Sequence, residues 1–224
     1  MSEFVPNVDL EQISTENKKE KDSKITENIK NIGEIFRLHP ELTAIGTQEQ
    51  YLDYLQSIFP ESKYKNILWH YSDAEFREEG FKPVKPNFDT LNSIEGVYNF
   101  STNQKFVTRY GKNHYPVVID TKHPLMHESS GEYVDDMDRP LSEDLFRIGK
   151  QKTDNPFAPR YDENLKDTDA VINNITGEEY RENPNTGQEL GVPKQTVVSV
   201  FDSSQIHILG SRADVFGFTK FLKK

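Results

Sequence analysis

From residue 61 onward the apolar residues come in runs too short for helices. They fall at 66–72 (NILWHYS), 96–100 (GVYNF), 115–121 (YPVVIDT), 169–173 (DAVIN) and 196–202 (TVVSVFD), with 205–209 (QIHIL) as a further one. Short runs rich in Val, Ile, Tyr and Phe, bounded by Gly, Pro, Asn and Asp, read as strands. The chain must therefore build a sheet, and the remaining elements must cover it.

Helical periodicity is found at the two ends. Ile25, Ile29, Ile32 and Phe36 recur at helical spacing, and Pro40 limits that helix because the residue before proline avoids helical geometry. Thr47 and Gln50 have capping-box spacing ahead of a stripe of Tyr51, Leu52, Leu55, Ile58 and Phe59 that stops at Pro60. A short helix, FVTRYG, follows the second strand, and RADVFGFTKFLK closes the chain as an amphipathic helix with Ser211 and Asp214 as candidate caps. Residues 122–168 and 176–194 read as long polar loops, which in compact domains are more often functional than idle. Residues 1–23 are charge-mixed and without period, a disordered arm. The expected organisation is that arm, a helical segment over 24–60, and an α+β domain over 61–224.

Composition narrows the function classes. Acidic residues number 37 against 27 basic ones, a net charge of −10, which argues against a nucleic-acid partner. Cysteine is absent, so disulfides, thiolate zinc sites and a cysteine nucleophile are excluded. No apolar run approaches the ~20 residues of a membrane helix. The opening MSEFVPNVDLEQ has neither the basic end nor the apolar centre of a secretory signal, and a cytoplasmic protein is the expectation.

Several familiar signatures are missing: no P-loop, no GxGxxG, no GxSxG and no HExxH. His123 and His127 have i, i+4 spacing, but Pro124 lies between them and no third ligand accompanies them, so no metal is expected. The acidic run VDDMD lacks the glycine and terminal glutamate of a calcium loop. A subtler set remains. His70 alternates with Leu68 and Ser72 on one face of the first strand, with Ile67, Trp69 and Tyr71 on the other. Tyr98 lies on a glycine-led strand, Tyr110 follows in RYG, and Gln195 precedes TVVSVFD. Histidine, tyrosines and an amide on separate strands suit an aromatic, positively charged ligand with hydroxyls.

Four segments in this order, IGTQEQYLDYLQSIFPESKYKNILWHYSDAEF, GVYNFSTNQKFVTRYG, YPVVIDTKHPL and VFDSSQIHILGSRADVFGFTKFL, resemble the ADP-ribosyltransferase-like domain of phage and plasmid polyvalent proteins. The resemblance covers about residues 42–223, and the last segment is its most distinctive part. That family belongs to the H-Y-E group that includes diphtheria toxin and the poly(ADP-ribose) polymerases. It implies a split β-sheet with flanking helices, and NAD as substrate. His70 matches the histidine that hydrogen-bonds the ribose, and Ser72 the small hydroxyl residue two places on. Tyr98 matches the first tyrosine, and Tyr110 the aromatic that stacks on nicotinamide. The implied reaction is displacement of nicotinamide at the ribose C1 through an oxocarbenium-like transition state.

This chain departs from the family pattern at three places. Tyr71 stands where the family has a glycine whose backbone approaches the nicotinamide amide, and a bulky residue there is expected to crowd the site. Asn99 is extra after Tyr98 and predicts a β-bulge. No glutamate fills the third position: one alignment puts Val197 there, and a two-residue insertion puts Gln195 there, with Glu189 nearby in a loop. The resemblance implies a mono-ADP-ribosyltransferase that modifies a host protein on behalf of a mobile element. The alternatives are a catalytically inactive binding module on the same fold and a virion-associated structural protein.

Overall fold

The computed structural model describes residues 31–78, 80–81, 97–107, 111–129, 143–144, 147–149, 160–176, 181–182, 189–190 and 194–224. The arm over 1–23, the first periodic isoleucines and Tyr110 lie outside these residues. Helix α1 covers 31–38, α2 is Gln48–Ile58, α3 is Gln104–Val107 and α4 is Arg212–Phe221. The strands are β1 (Leu68–Ser72), β2 (Tyr98–Ser101), β3 (Asn113–Ile119), β4 (Pro124–Ser129), β5 (Ala170–Ile175), β6 (Arg181–Glu182), β7 (Glu189–Leu190), β8 (Gln195–Val200) and β9 (Ile206–Ile208).

Seven strands form one mixed sheet in the order β4-β5-β8-β2-β1-β3-β9, and β6 pairs with β7 separately. Every pairing in the large sheet is antiparallel except β4 with β5. With helices against it, the fold is α+β.

The sheet is joined unevenly at its centre. β1 pairs with β3 over all five of its residues, and β2 pairs with β8 over all four of its own. Between β1 and β2 the register holds one pair alone, Trp69 with Ser101. One core nevertheless spans both halves: Leu68, Tyr115 and Val117 from the β1 side pack with Tyr98, Phe100, Val198 and Ile172 from the other. A second core lies between the helices and the opposite face of β1 and β3, where Ile35, Tyr51, Leu55 and Phe218 meet Ile67 and Val118.

The helix signals work as their chemistry requires. Thr47 accepts from the Gln50 N–H while Gln50 Oε1 accepts from the Thr47 N–H, which completes the capping box. Ser211 caps α4 by accepting from the Asp214 N–H at 3.2 Å.

Three expectations are corrected. The stretch over 122–168 is not wholly loop, because β4 runs through it and pairs in parallel with β5. The Gly/Pro/Asn-rich 176–194 contains the β6–β7 pair. Asn99 makes no bulge: Tyr98–Ser101 stays in continuous register with Val200–Val197, so Asn99 sits opposite Ser199 as an ordinary ladder residue.

Candidate functional site

Register and alternation sort the predicted site residues onto two faces. Tyr98 and Phe100 pair with Val200 and Val198, so these share a face. Trp69 pairs with Ser101, which puts Trp69 and Tyr71 with Asn99 and Ser101, and leaves Leu68, His70 and Ser72 with Tyr98 and Phe100. The core clusters follow the same division.

His70 stands at the point where β1 and β2 stop pairing. Its Nδ1 lies 2.9 Å from the main-chain oxygen of Asn99. A carbonyl only accepts, so Nδ1–H donates and the neutral ring keeps its lone pair on Nε2. The ring is enclosed by Phe81 at 5.1 Å, Phe100 at 5.5 Å and Phe76 at 6.0 Å. Burial pushes the imidazole below its ordinary pKa, against the opposing hydrogen bond to Asn99. The side chain is thus a neutral ring that pins β2 to β1 where ladder bonds are missing.

Tyr98 is buried on the same face, and Phe81 stands edge-on to it at 5.7 Å. Phe81 therefore touches both rings. Burial raises the Tyr98 pKa, opposed by a hydrogen bond with Ser203 and reinforced by Asp202. Ser72 Oγ accepts from the Ala74 N–H at 3.1 Å, which turns the chain out of β1. Gly111 shows why glycine follows Tyr110: a Cβ there would meet the Ser72 backbone at 2.2 Å.

Tyr71 points the other way. Its ring packs 4.3 Å from His114, and burial raises its pKa against a hydrogen bond from Gln104. The bulk that replaces the expected glycine is accommodated on the helix-covered face and does not crowd His70.

The third position does not converge with the first two. Val197 pairs with Ser101, so Val197 and Gln195 lie on the Asn99 face, opposite His70 and Tyr98. Gln195 also sits three residues along β8 from Val198, the residue paired with Phe100 beside His70. At ~3.4 Å per residue that is about 10 Å. Gln195 is buried, and its Oε1 accepts from the Ser101 hydroxyl at 2.5 Å. Glu189 belongs to β7, paired with Glu182.

The most distinctive sequence segment, QIHILGSRAD, builds a different cluster. Asp214, fully buried, accepts from the Tyr51 hydroxyl at 2.6 Å and the Gly210 N–H at 2.8 Å, and pairs with His207 Nε2 at 2.7 Å. Gly210 has φ +70° and lies against the ring of His39, so a side chain there would meet that ring at 2.3 Å. Gln205 Nε2 donates to the main-chain oxygens of Asp120 and Asp169, tying β9 to the ends of β3 and β5. Sequence reasoning took Asp214 for a cap and missed its role as hub. The signal was present as an Asp at N3 of a helix whose preceding strand carries a histidine.

His127 pairs with buried Asp144, whose other oxygen lies 3.4 Å from Arg147. Because β4 is a strand, His123 and His127 do not share a helical face. No family model, curated protein or solved structure matches the chain. No described helix is long and apolar enough to cross a membrane.

Proposed function

We propose that the chain is an ADP-ribosyltransferase-like module that binds NAD or a kindred nucleotide at the opening between β1 and β2, without transferring ADP-ribose. Two features support the fold reading beyond the motifs. The strands carrying the three motif positions, β1, β2 and β8, are consecutive neighbours, and the sheet is nearly parted between β1 and β2. The observation that carries the non-catalytic reading is Gln195. It lies on the opposite face from His70 and Tyr98 and is engaged by Ser101. A transferase of this type must hold negative charge against a developing ribosyl cation. Val197 has no polar group, and a glutamine carries no charge.

Active transfer remains the second reading, favoured by the shared face of His70 and Tyr98 and their common neighbour Phe81. It requires an acid from another part of the chain. Calorimetric titration with NAD tests the binding: saturable binding is expected, and none at millimolar NAD would overturn it. The host protein target and mobile-element origin belong to the transferase reading, and labelled NAD with host lysate tests them.

A further inference from the structure

We infer that the outer face of α4, centred on Phe216, docks in the acidic groove beside the ends of β3, β5 and β8 of a second copy of the chain, giving a head-to-tail association. This goes beyond the nucleotide-binding reading and does not depend on it.

One side of α4 is packed and the other is bare. Asp214 and Phe218 are buried, and Val215, Phe221 and Leu222 pack against the core that holds Ile35 and Tyr51. Turned away from that core, Arg212, Phe216 and Lys220 follow one another at i, i+4 and i+8, with Lys223 three residues further on. Phe216 is 70% exposed, more than Met126 or Tyr161. Arg212, Lys220, Lys223 and Lys224 are exposed, and none has an ion-pair partner among the described residues. The helix dipole accounts for lysines near the C-terminal end, but not for Arg212 in the first turn or for a bare phenyl ring between them. In a chain of net charge −10, this is a basic face with an apolar centre.

The groove has a volume of about 400 Å³ and lies past the end of β3, ahead of β5 and past the end of β8. Gln205 ties these segments together: its Nε2 donates to the main-chain oxygens of Asp120 and Asp169, and its Oε1 accepts from the Asp202 N–H at 3.0 Å. Phe201 supplies apolar surface, and Asp120, Asp167, Asp169 and Asp202 line the groove with two lysines. Both lysines are already engaged. Lys166 pairs with Glu163 at 3.0 Å, and Lys122 lies 3.6 Å from Asp120 and 3.9 Å from Glu61. The groove and its rim therefore stay negative.

The two surfaces answer each other in size and in sign. A groove of about 400 Å³ has room for one phenyl ring and the stem of a flanking lysine. Phe201 meets the ring, and the carboxylates meet the cations that surround it, the usual apolar centre and charged rim of an interface. Elsewhere two acidic copies repel, which disfavours other orientations. Because helix face and groove are different surfaces, the contact is heterologous, and each added copy brings one of each.

The test is sedimentation equilibrium of the full chain. The average mass of wild type is expected to rise above 25.9 kDa over about 10–300 µM protein in about 50 mM salt, and to return to that value in about 1 M salt. Phe216→Glu spoils the helix face, and Asp167→Lys/Ser204→Arg fills the groove and reverses its charge. All three positions are exposed, so melting temperatures within about 2 °C of wild type are expected. Lys220→Glu/Lys223→Glu serves as a second helix-face variant. Each variant alone should stay a single chain. An equal mixture of Phe216→Glu with Asp167→Lys/Ser204→Arg should form pairs and nothing larger, because only one intact face and one intact groove remain to meet. Wild type that stays a single chain, a helix-face variant that associates like wild type, or a mixture that fails to pair would each overturn the inference. So would a single-chain wild type that sediments with vesicles of equal phosphatidylserine and phosphatidylcholine, since α4 would then face a bilayer.

Discussion

His70 Nδ1 donates to the main-chain oxygen of Asn99 at 2.9 Å, across the place where β1 and β2 cease to pair. A side chain there does the work of a ladder bond, and it fastens two halves of a sheet that share one core. The same histidine that the motif assigns to a ribose is thus a structural pin.

Removing that pin should cost stability. His70→Ala deletes the hydrogen bond and a ring packed among Phe76, Phe81 and Phe100, and about 2–4 kcal/mol is expected. Urea denaturation measures it. A loss below about 0.5 kcal/mol would mean that the ring is not part of the core.

Asp214 should matter as much to the other core. Its carboxylate serves Tyr51, His207 and the Gly210 N–H with no exposure to water. Asp214→Ala leaves those partners unsatisfied, and a loss of about 3 kcal/mol or more is expected from the urea midpoint. The C-terminal motif would then be recognisable because it folds the chain, not because it binds a ligand.

Gly210→Ala combines a left-handed backbone with a methyl driven into His39. The backbone term alone is about 1 kcal/mol, and overpacking against a buried ring adds about 1–3 kcal/mol. The double variant Gly210→Ala/His39→Ala should recover the overpacking part, and a melting curve unchanged from the single variant would contradict the contact.

Acid should weaken the fold. Burial lowers the pKa of both His39 and His70; for His39, Arg77 adds to this while Glu41 and Asp214 oppose it. Both rings therefore take up a proton less readily when folded than in the unfolded chain, where they protonate near pH ~6.5. Below that pH the unfolded state binds more protons, so stability falls as pH falls and is unaffected by these groups well above it. Urea midpoints at pH 7.5, 6.5 and 5.5 should decline in that order, and less steeply in His39→Gln. An equal decline in that variant would remove His39 from the account.

Much of the fold was legible from periodicity. Strand runs such as YPVVIDT and TVVSVFD are apolar enough to announce themselves, and Thr47 with Gln50 fixes a helix start by local chemistry. β4 was hidden because its residues, Pro124–Ser129, sit at a sheet edge, half-buried or exposed, so no apolar run marks them. The bulge expected at Asn99 came from an alignment gap, which register alone can settle. The site was legible only in part. Alternation puts Gln195 and Val197 on one face of β8, but their relation to His70 depends on how β1, β2 and β8 pair, and pairing is a tertiary property.

The central claim is binding without transfer, and the most direct measurement is incubation of the full chain and host lysate with NAD labelled on the adenylate. The account predicts retention of label by the protein as reversible, titratable binding, with no covalent label on any lysate component. Covalent label that appears on a lysate component only when the chain is added would contradict it, whether Gln195 or an acid from another part of the chain supports the transfer.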